Sequence, residues 1–193
     1  MNHSKDLDLP EKLAPALWAL SLCMFTVGTS SLIVLGIGQE ITNSFGIPSG
    51  AAGWLMTVFA GVFAVSAPLV QLVFARRCSQ LMLVGIGLML LAAGMLWASL
   101  AGSYSGLLYA RACAALGGAL IAPASAALAA RFSSPSRKTH ALATVFAGFT
   151  LASVVGVPLG TWLGITLEWR GAMVAIACLT LIALAIVVVC FRS

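Results

Sequence analysis

Apolar residues run almost unbroken through this chain in six stretches, and polar residues collect in the short gaps between them. Each stretch reaches the ~20 residues a helix needs to cross a hydrocarbon core about 30 Å thick. The pattern predicts transmembrane helices near 14–38, 50–74, 80–101, 104–131, 140–166 and 170–191, here called spans 1 to 6. A membrane barrel would instead show alternating segments of about 10 residues, and backbone groups in lipid must otherwise be satisfied within helices. The expected fold is all-α, a polytopic membrane bundle of six transmembrane helices over 14–193 with a short tail over 1–13.

Composition removes the soluble alternatives. With 61% hydrophobic residues, 8% charged residues and a mean hydropathy of +1.08, too little polar surface remains to clothe a soluble globule. The net charge of +5 sits beside helix ends, not in a stripe interleaved with aromatics, so nucleic acid is not an expected partner. Lys5 and Lys12 precede span 1, Arg76 and Arg77 lie between spans 2 and 3, Arg131, Arg137 and Lys138 surround the gap between spans 4 and 5, and Arg192 follows span 6. The alternate gaps hold only Arg170. The positive-inside rule then places both termini in the cytoplasm and the turns around Glu40, Gly102 and Glu168 outside, in a multi-pass protein of the cell (inner, cytoplasmic) membrane. The first stretch lacks an A-x-A-like end and is expected to be a retained helix, not a cleaved signal.

Candidate chemistry is sparse, and the sparseness excludes whole classes. Cys23, Cys78, Cys113, Cys178 and Cys190 stand singly and read as packing residues. His3 and His140 have no ligand partner at helical spacing, so no metal site is expected. No span offers a Ser–His pair or H-E-x-x-H, and the chain is not expected to be an enzyme. No Asp, Glu or His lies deep in a span, which removes the usual parts of a proton relay; Glu40, at the outer end of span 1, reads as an interfacial carboxylate.

Two features remain. Arg111 lies about seven residues, roughly 10 Å, into span 4. A charge at that depth faces a polar cavity or a partner, so a cavity or gating role stands beside snorkelling or a structural pair. Span 5 carries Gly148, Ala152, Gly156, Gly160 and Gly164 at four-residue intervals, and span 4 carries Ala110, Ala114, Gly118, Ala122, Ala126 and Ala130 in the same way. Such ridges let helix backbones approach closely, either as static packing or where two helices slide or rock. Pro123 and Pro158 predict kinks.

Several segments carry a family resemblance: F-T-V-G-T-S-S-L-I-V-L-G-I-G-Q-E-I in span 1 (Phe25 to Ile41), R-A-C-A-A-L-G-G-A-L-I-A-P in span 4 (Arg111 to Pro123), G-V-P-L-G-T-W-L-G in span 5 (Gly156 to Gly164) and E-W-R-G-A (Glu168 to Ala172). In this order and spacing the chain resembles the N-terminal six-helix half of the major facilitator superfamily, in the drug and sugar efflux (proton antiporter) branch related to arabinose efflux permeases. The resemblance implies efflux of a small solute by alternating access, with a proton gradient and no cofactor. It implies that Arg111 supplies a fixed positive charge to the cavity, while Thr26, Thr29, Ser30 and Ser31 supply hydroxyls. Gly148, Gly156, Pro158, Gly160 and Gly164, with Gly117, Gly118 and Pro123 in span 4, would govern helix packing and gating.

The chain departs from the family after span 2. The family has A-P-L-x-G-x-L-x-D-R-x-G-R-R where this chain has A-P-L-V-Q-L-V-F-A-R-R-C-S-Q (Ala67 to Gln80), so the cytoplasmic latch is degenerate around Arg76 and Arg77. Ser31 also stands where many relatives have Glu. The family joins two six-helix halves, related by an axis along the membrane normal. Besides the lipid bilayer and a small-molecule substrate, the expected partner is therefore a second six-helix half or a second copy in a parallel homodimer. Two alternatives to a transporting half are a non-transporting subunit docked on a larger transporter and an inactive truncated remnant.

Overall fold

A computed structural model describes residues 13–74 and 78–192, and all regular structure among them is helical. Span 1 is divided into α1 (Leu13–Leu32) and α2 (Val34–Phe45), with Ile33 between them. A 3-10 turn at Ser49–Ala51 leads into α3 (Ala52–Phe74), which is span 2. Span 3 is α4 (Gln80–Leu100) and span 4 is α5 (Tyr104–Phe132). The chain then continues through α6 (Lys138–Leu151), a π-helical turn at Ala152–Gly156 and α7 (Val157–Arg192). The tail residues 1–12, and Arg76 and Arg77 of the loop after span 2, lie outside the described residues.

Five continuous helical stretches are long and apolar enough to cross a membrane, and the last of them, Lys138–Phe191, is 54 residues long. At 1.5 Å per residue it would measure ~80 Å, far more than one crossing needs. Glu168 divides it: its φ of 61° and ψ of 164° are non-helical, and the chain reverses there. Residues before Glu168 pack on span 1, where Gly164 faces Ile37; at the far end of α7, Phe191 meets Phe132 at the opposite end of the bundle. Among the described residues the five stretches thus contain six helical segments, each long enough to cross a membrane.

Local chemistry sets several ends. The end of span 1 expected near residue 38 falls inside α2, because polar residues prolong the helix: the Gln39 amide donates to Asn43 Oδ1 (3.4 Å) and the Thr42 hydroxyl to the Gln39 carbonyl (3.0 Å). The helix stops at Gly46, whose left-handed φ of 64° lets its N–H reach the Asn43 carbonyl (3.2 Å) while Ile47 N–H reaches that of Thr42 (3.0 Å). Ser79 and Ser103 cap α4 and α5 by accepting from Met82 N–H and Gly106 N–H, both at 3.2 Å.

Span 4 is the centre of the bundle, buried along most of its length. It runs antiparallel to span 3 through backbone-close contacts: a Cβ on Gly94 would lie 2.5 Å from Ala114 N, and one on Gly117 would lie 2.5 Å from Leu91 N. Span 2 lies at the edge, with only Leu55 and Phe59 buried. Trp54, Trp97, Tyr109 and Trp162 are exposed toward the end of the bundle that carries Glu40 and Glu168, as expected of side chains anchored at one membrane interface.

Candidate functional site

Arg111 is the largest fully buried side chain. Its Nη1 donates to the Ser30 carbonyl (2.6 Å), Nη2 to the Ser31 carbonyl (3.2 Å) and Nε to the Leu55 carbonyl (3.5 Å). Its guanidinium carbon lies 4.6 Å from the centre of the Phe59 ring. Its partners are thus backbone dipoles and a π-face, with no carboxylate among them.

The break in span 1 explains why those carbonyls face the arginine. A continuous helix would direct the N–H groups of Val34 and Leu35 to the carbonyls of Ser30 and Ser31. Here the chain passes from α1 to α2 at this point, and the Ile33 carbonyl accepts from both Gly36 N–H (2.9 Å) and Ile37 N–H (3.2 Å). A helix end needs outside donors for its last carbonyls, and the planar guanidinium fork reaches two at once. Hydrogen bonds to a charged group are worth about 1.5–3 kcal/mol, and the Phe59 face adds cation–π attraction; together they offset desolvation of the charge.

The predicted hydroxyls divide. Ser30 and Ser31 meet Arg111 through main-chain carbonyls, and the Ser30 hydroxyl donates to Met95 Sδ (3.2 Å), tying the break to span 3. The Thr26 hydroxyl turns back to the Cys23 carbonyl of its own helix (2.8 Å). Thr29 Oγ1 is buried without a hydrogen-bond partner and faces Gly156. Of the four, only Ser31 is partly exposed. Sequence reading missed Leu55, Phe59 and Met95. Leu55 acts through its carbonyl, which no side-chain pattern reports, and the other two look like ordinary apolar core.

The glycines of span 5 seat on span 1 in parallel register. Gly148 meets the Ser21 backbone, Gly156 meets Thr29, Gly160 meets Ile33 and Gly164 meets Ile37. In return, Gly28 of span 1 lies against Ala152 and Phe149, and Gly36 against Thr161. Pro158 lacks an N–H and crowds the carbonyl four residues earlier; the π-turn just before it shifts the local pattern, and Val157 N–H bonds to the Ala152 carbonyl. In span 4, Gly117 faces span 3, Gly118 faces Val27 and Phe63, and α5 continues through Pro123 without interruption.

A second cluster closes the end that carries Glu168. The Phe45 ring lies 5.7 Å from Trp169 and 6.4 Å from Tyr104. The Tyr104 hydroxyl donates to the Ala51 carbonyl (2.6 Å), and Arg170 donates to the Ala101 carbonyl (2.9 Å) while lying 4.2 Å from the Trp169 ring. Beside it, Glu40, Asn43, Glu168 and Arg170 line a shallow pocket of about 460 Å³.

Fold and site together define a polytopic helical membrane protein with a charged centre held against a broken first span. The sequence profile of the Major Facilitator Superfamily matches residues 19–193, and the chain belongs to that family. It is 34% identical over 172 residues to the uncharacterised MFS-type transporter YbcL of Bacillus subtilis, covering 89% of this chain and 44% of that protein. It is 30% identical over 173 residues to the inner membrane transport protein YdhP of Escherichia coli (strain K12), covering 90% and 44%. Among solved structures, the peptide transporter POT in complex with sulfate matches with a TM-score of 0.80 at 16% identity, covering 95% of this chain and 38% of that one; at that identity the likeness is one of fold. The chain spans less than half the length of the curated relatives it matches.

Proposed function

We propose that the chain forms the N-terminal six-helix half of a permease that exports a small solute across the cytoplasmic membrane by alternating access, with both termini in the cytoplasm. The observation that carries this reading is Arg111: a fully buried cation in the central span, held only by backbone carbonyls and one ring. A charge kept in the membrane without a carboxylate partner is by default the mark of a solute pathway, beside its role as donor to the span 1 carbonyls. Ser31, partly exposed beside it, marks where the pathway meets the arginine. The efflux branch is supported by the glycine and proline pattern of span 5, and YdhP, an inner membrane transport protein by name, supports the membrane assigned.

The exposed faces of spans 2 and 5 support a second six-helix body as the partner. Trp54, Leu69 and Leu72 on span 2, and Leu151, Val154 and Ile165 on span 5, are more than half exposed. The second body is either the other half found in relatives or a second copy in parallel, and a drive from a proton gradient stays part of the proposal. The test is export from a host stripped of its broad-specificity pumps, using a panel of antibiotics and dyes, with the chain expressed together with its second half. Export should appear and should vanish in Arg111→Ala at unchanged membrane insertion; unchanged export by that variant would refute the role of Arg111.

A further inference from the structure

The two discontinuities of the bundle lie side by side. Span 1 keeps helical dihedrals at Ile33 (φ −56°, ψ −32°) but changes its hydrogen bonding there, the Gly36 N–H turning to the Ile33 carbonyl and the Ser30 and Ser31 carbonyls to Arg111, and span 5 carries the π-turn at Ala152–Gly156. Because Gly156 seats on Thr29 and Gly160 on Ile33, the two interruptions are within about one helical turn, ~5.4 Å, of each other. Mid-helix 3-10 and π segments mark places where a helix bends, and here two parallel neighbours carry such irregularities about one turn apart.

Contacts on either side of these irregularities differ in part, with Gly28 on the α1 side also meeting the Ala152 Cβ and the Phe149 side chain. Toward the α1 end, Gly148 meets the Ser21 main chain, which cannot give way. Toward the other end, Gly160 meets the tip of the Ile33 side chain, Gly164 meets a methyl of Ile37, and Gly36 seats on Thr161. The far halves are thus interlocked with each other, while the start of α7 also lies beside Phe25 and Thr29 of α1. Their tips are held by the aromatic cluster, in which Phe45 touches both Trp169 and Tyr104.

We propose that α2 and the part of α7 before Glu168 bend as one unit about a paired hinge, formed by Ile33 in span 1 and Ala152–Gly156 in span 5, with Phe45, Tyr104 and Trp169 as its latch. The interlocked glycines oppose sliding of one helix along the other, since a shift of less than a full turn drives side chains into the glycine faces. Bending of both helices together keeps the contacts between the two far halves, and opens those to spans 2 and 4, such as Gly38 on Ala52 and Phe45 on Tyr104. This inference rests on the packing alone, so its failure leaves the transport reading standing.

Hydrogen exchange followed by mass spectrometry on the purified chain in nanodiscs tests it without a solute. Pro158→Ala restores the missing N–H and removes the reason for the π-turn. Exchange should slow at least ~5-fold over 152–157 and, through the pairing, over 34–37 of span 1 as well. Slowing confined to span 5 would overturn the paired hinge. A second variant guards against an uninformative fold change. The Gly36→Cys, Thr161→Cys pair, with a Cβ on residue 36 lying 3.1 Å from Thr161 Cβ, is near disulfide spacing and should cross-link on oxidation. Exchange at both hinge segments should survive that cross-link and rise several-fold in Trp169→Ala. Loss of exchange on cross-linking would show that the helices move against each other, and no rise in Trp169→Ala would remove the latch.

Discussion

Two seams in this bundle are built from small residues at helical spacing, and they produce opposite mechanical results. Between spans 3 and 4 the helices are continuous and antiparallel, and glycines meet main chain: Gly94 against Ala114 N, Gly117 against Leu91 N and the Gly87 carbonyl. Between spans 1 and 5 the helices are parallel and both interrupted, and most glycines meet side chains. Small residues permit close approach, but what they approach decides the stiffness of the seam. A glycine on backbone makes a fixed slab; a glycine on a side-chain tip next to a helix break makes a joint.

The sharpest way to break this comparison is to add one methyl group to each seam. Gly117→Ala should lose about 3 kcal/mol, as overpacking against backbone does, read from denaturant-driven unfolding in mixed micelles. Gly160→Ala should lose less than about 1 kcal/mol, because the Ile33 side chain can rotate away. Equal losses would remove the distinction between slab and joint.

The latch comes next in size. Tyr104→Phe removes the hydrogen bond to the Ala51 carbonyl and should lower stability by about 1 kcal/mol, visible as a lower thermal midpoint in detergent. No shift would mean that the aromatic contacts alone hold the outer ends.

The smallest expected effect is a gain. Glu168 occupies a region of backbone space that essentially only glycine tolerates, at φ 61° and ψ 164°. Glu168→Gly should therefore raise stability by about 0.5–1 kcal/mol, the strain relieved being partly cancelled by the greater freedom of glycine in the unfolded chain. A lower thermal midpoint in this variant would show that the glutamate side chain contributes more than its backbone strain.

Much of the scaffold was legible in the sequence because lipid is a demanding solvent. Apolar stretch length gave the crossings, and Arg111 was conspicuous because a charge at that depth needs a reason. The glycine ridge of span 5 was legible as a ridge, but its partner was not: nothing in Gly148, Gly156, Gly160 and Gly164 names Ser21, Thr29, Ile33 and Ile37 across more than a hundred residues. The break at Ile33 was hidden for a different reason. Ile33 is β-branched and apolar, carries no Gly or Pro signal, and sits where the main-chain carbonyls of Ser30 and Ser31 turn to Arg111. Hydrogen bonds to backbone leave no mark on composition, so Ser30 and Ser31 were legible only through their hydroxyls. The turn at Glu168 was legible from the gap between the last two apolar stretches, but its strained backbone was not, since φ leaves no mark on residue type.

The measurement that tests the slab-and-joint account most directly is a pair of spin-label distances, taken with the native cysteines replaced. One pair, at Leu100 and Phe132, runs along the slab of spans 3 and 4; the other, at Leu100 and Ile165, runs from that slab to the far half of span 5, all three positions being exposed. On introducing Trp169→Ala, the account predicts an unchanged narrow distribution for the first pair and a broadened or two-peaked one for the second. Equal broadening of both, or no change in either, would contradict it.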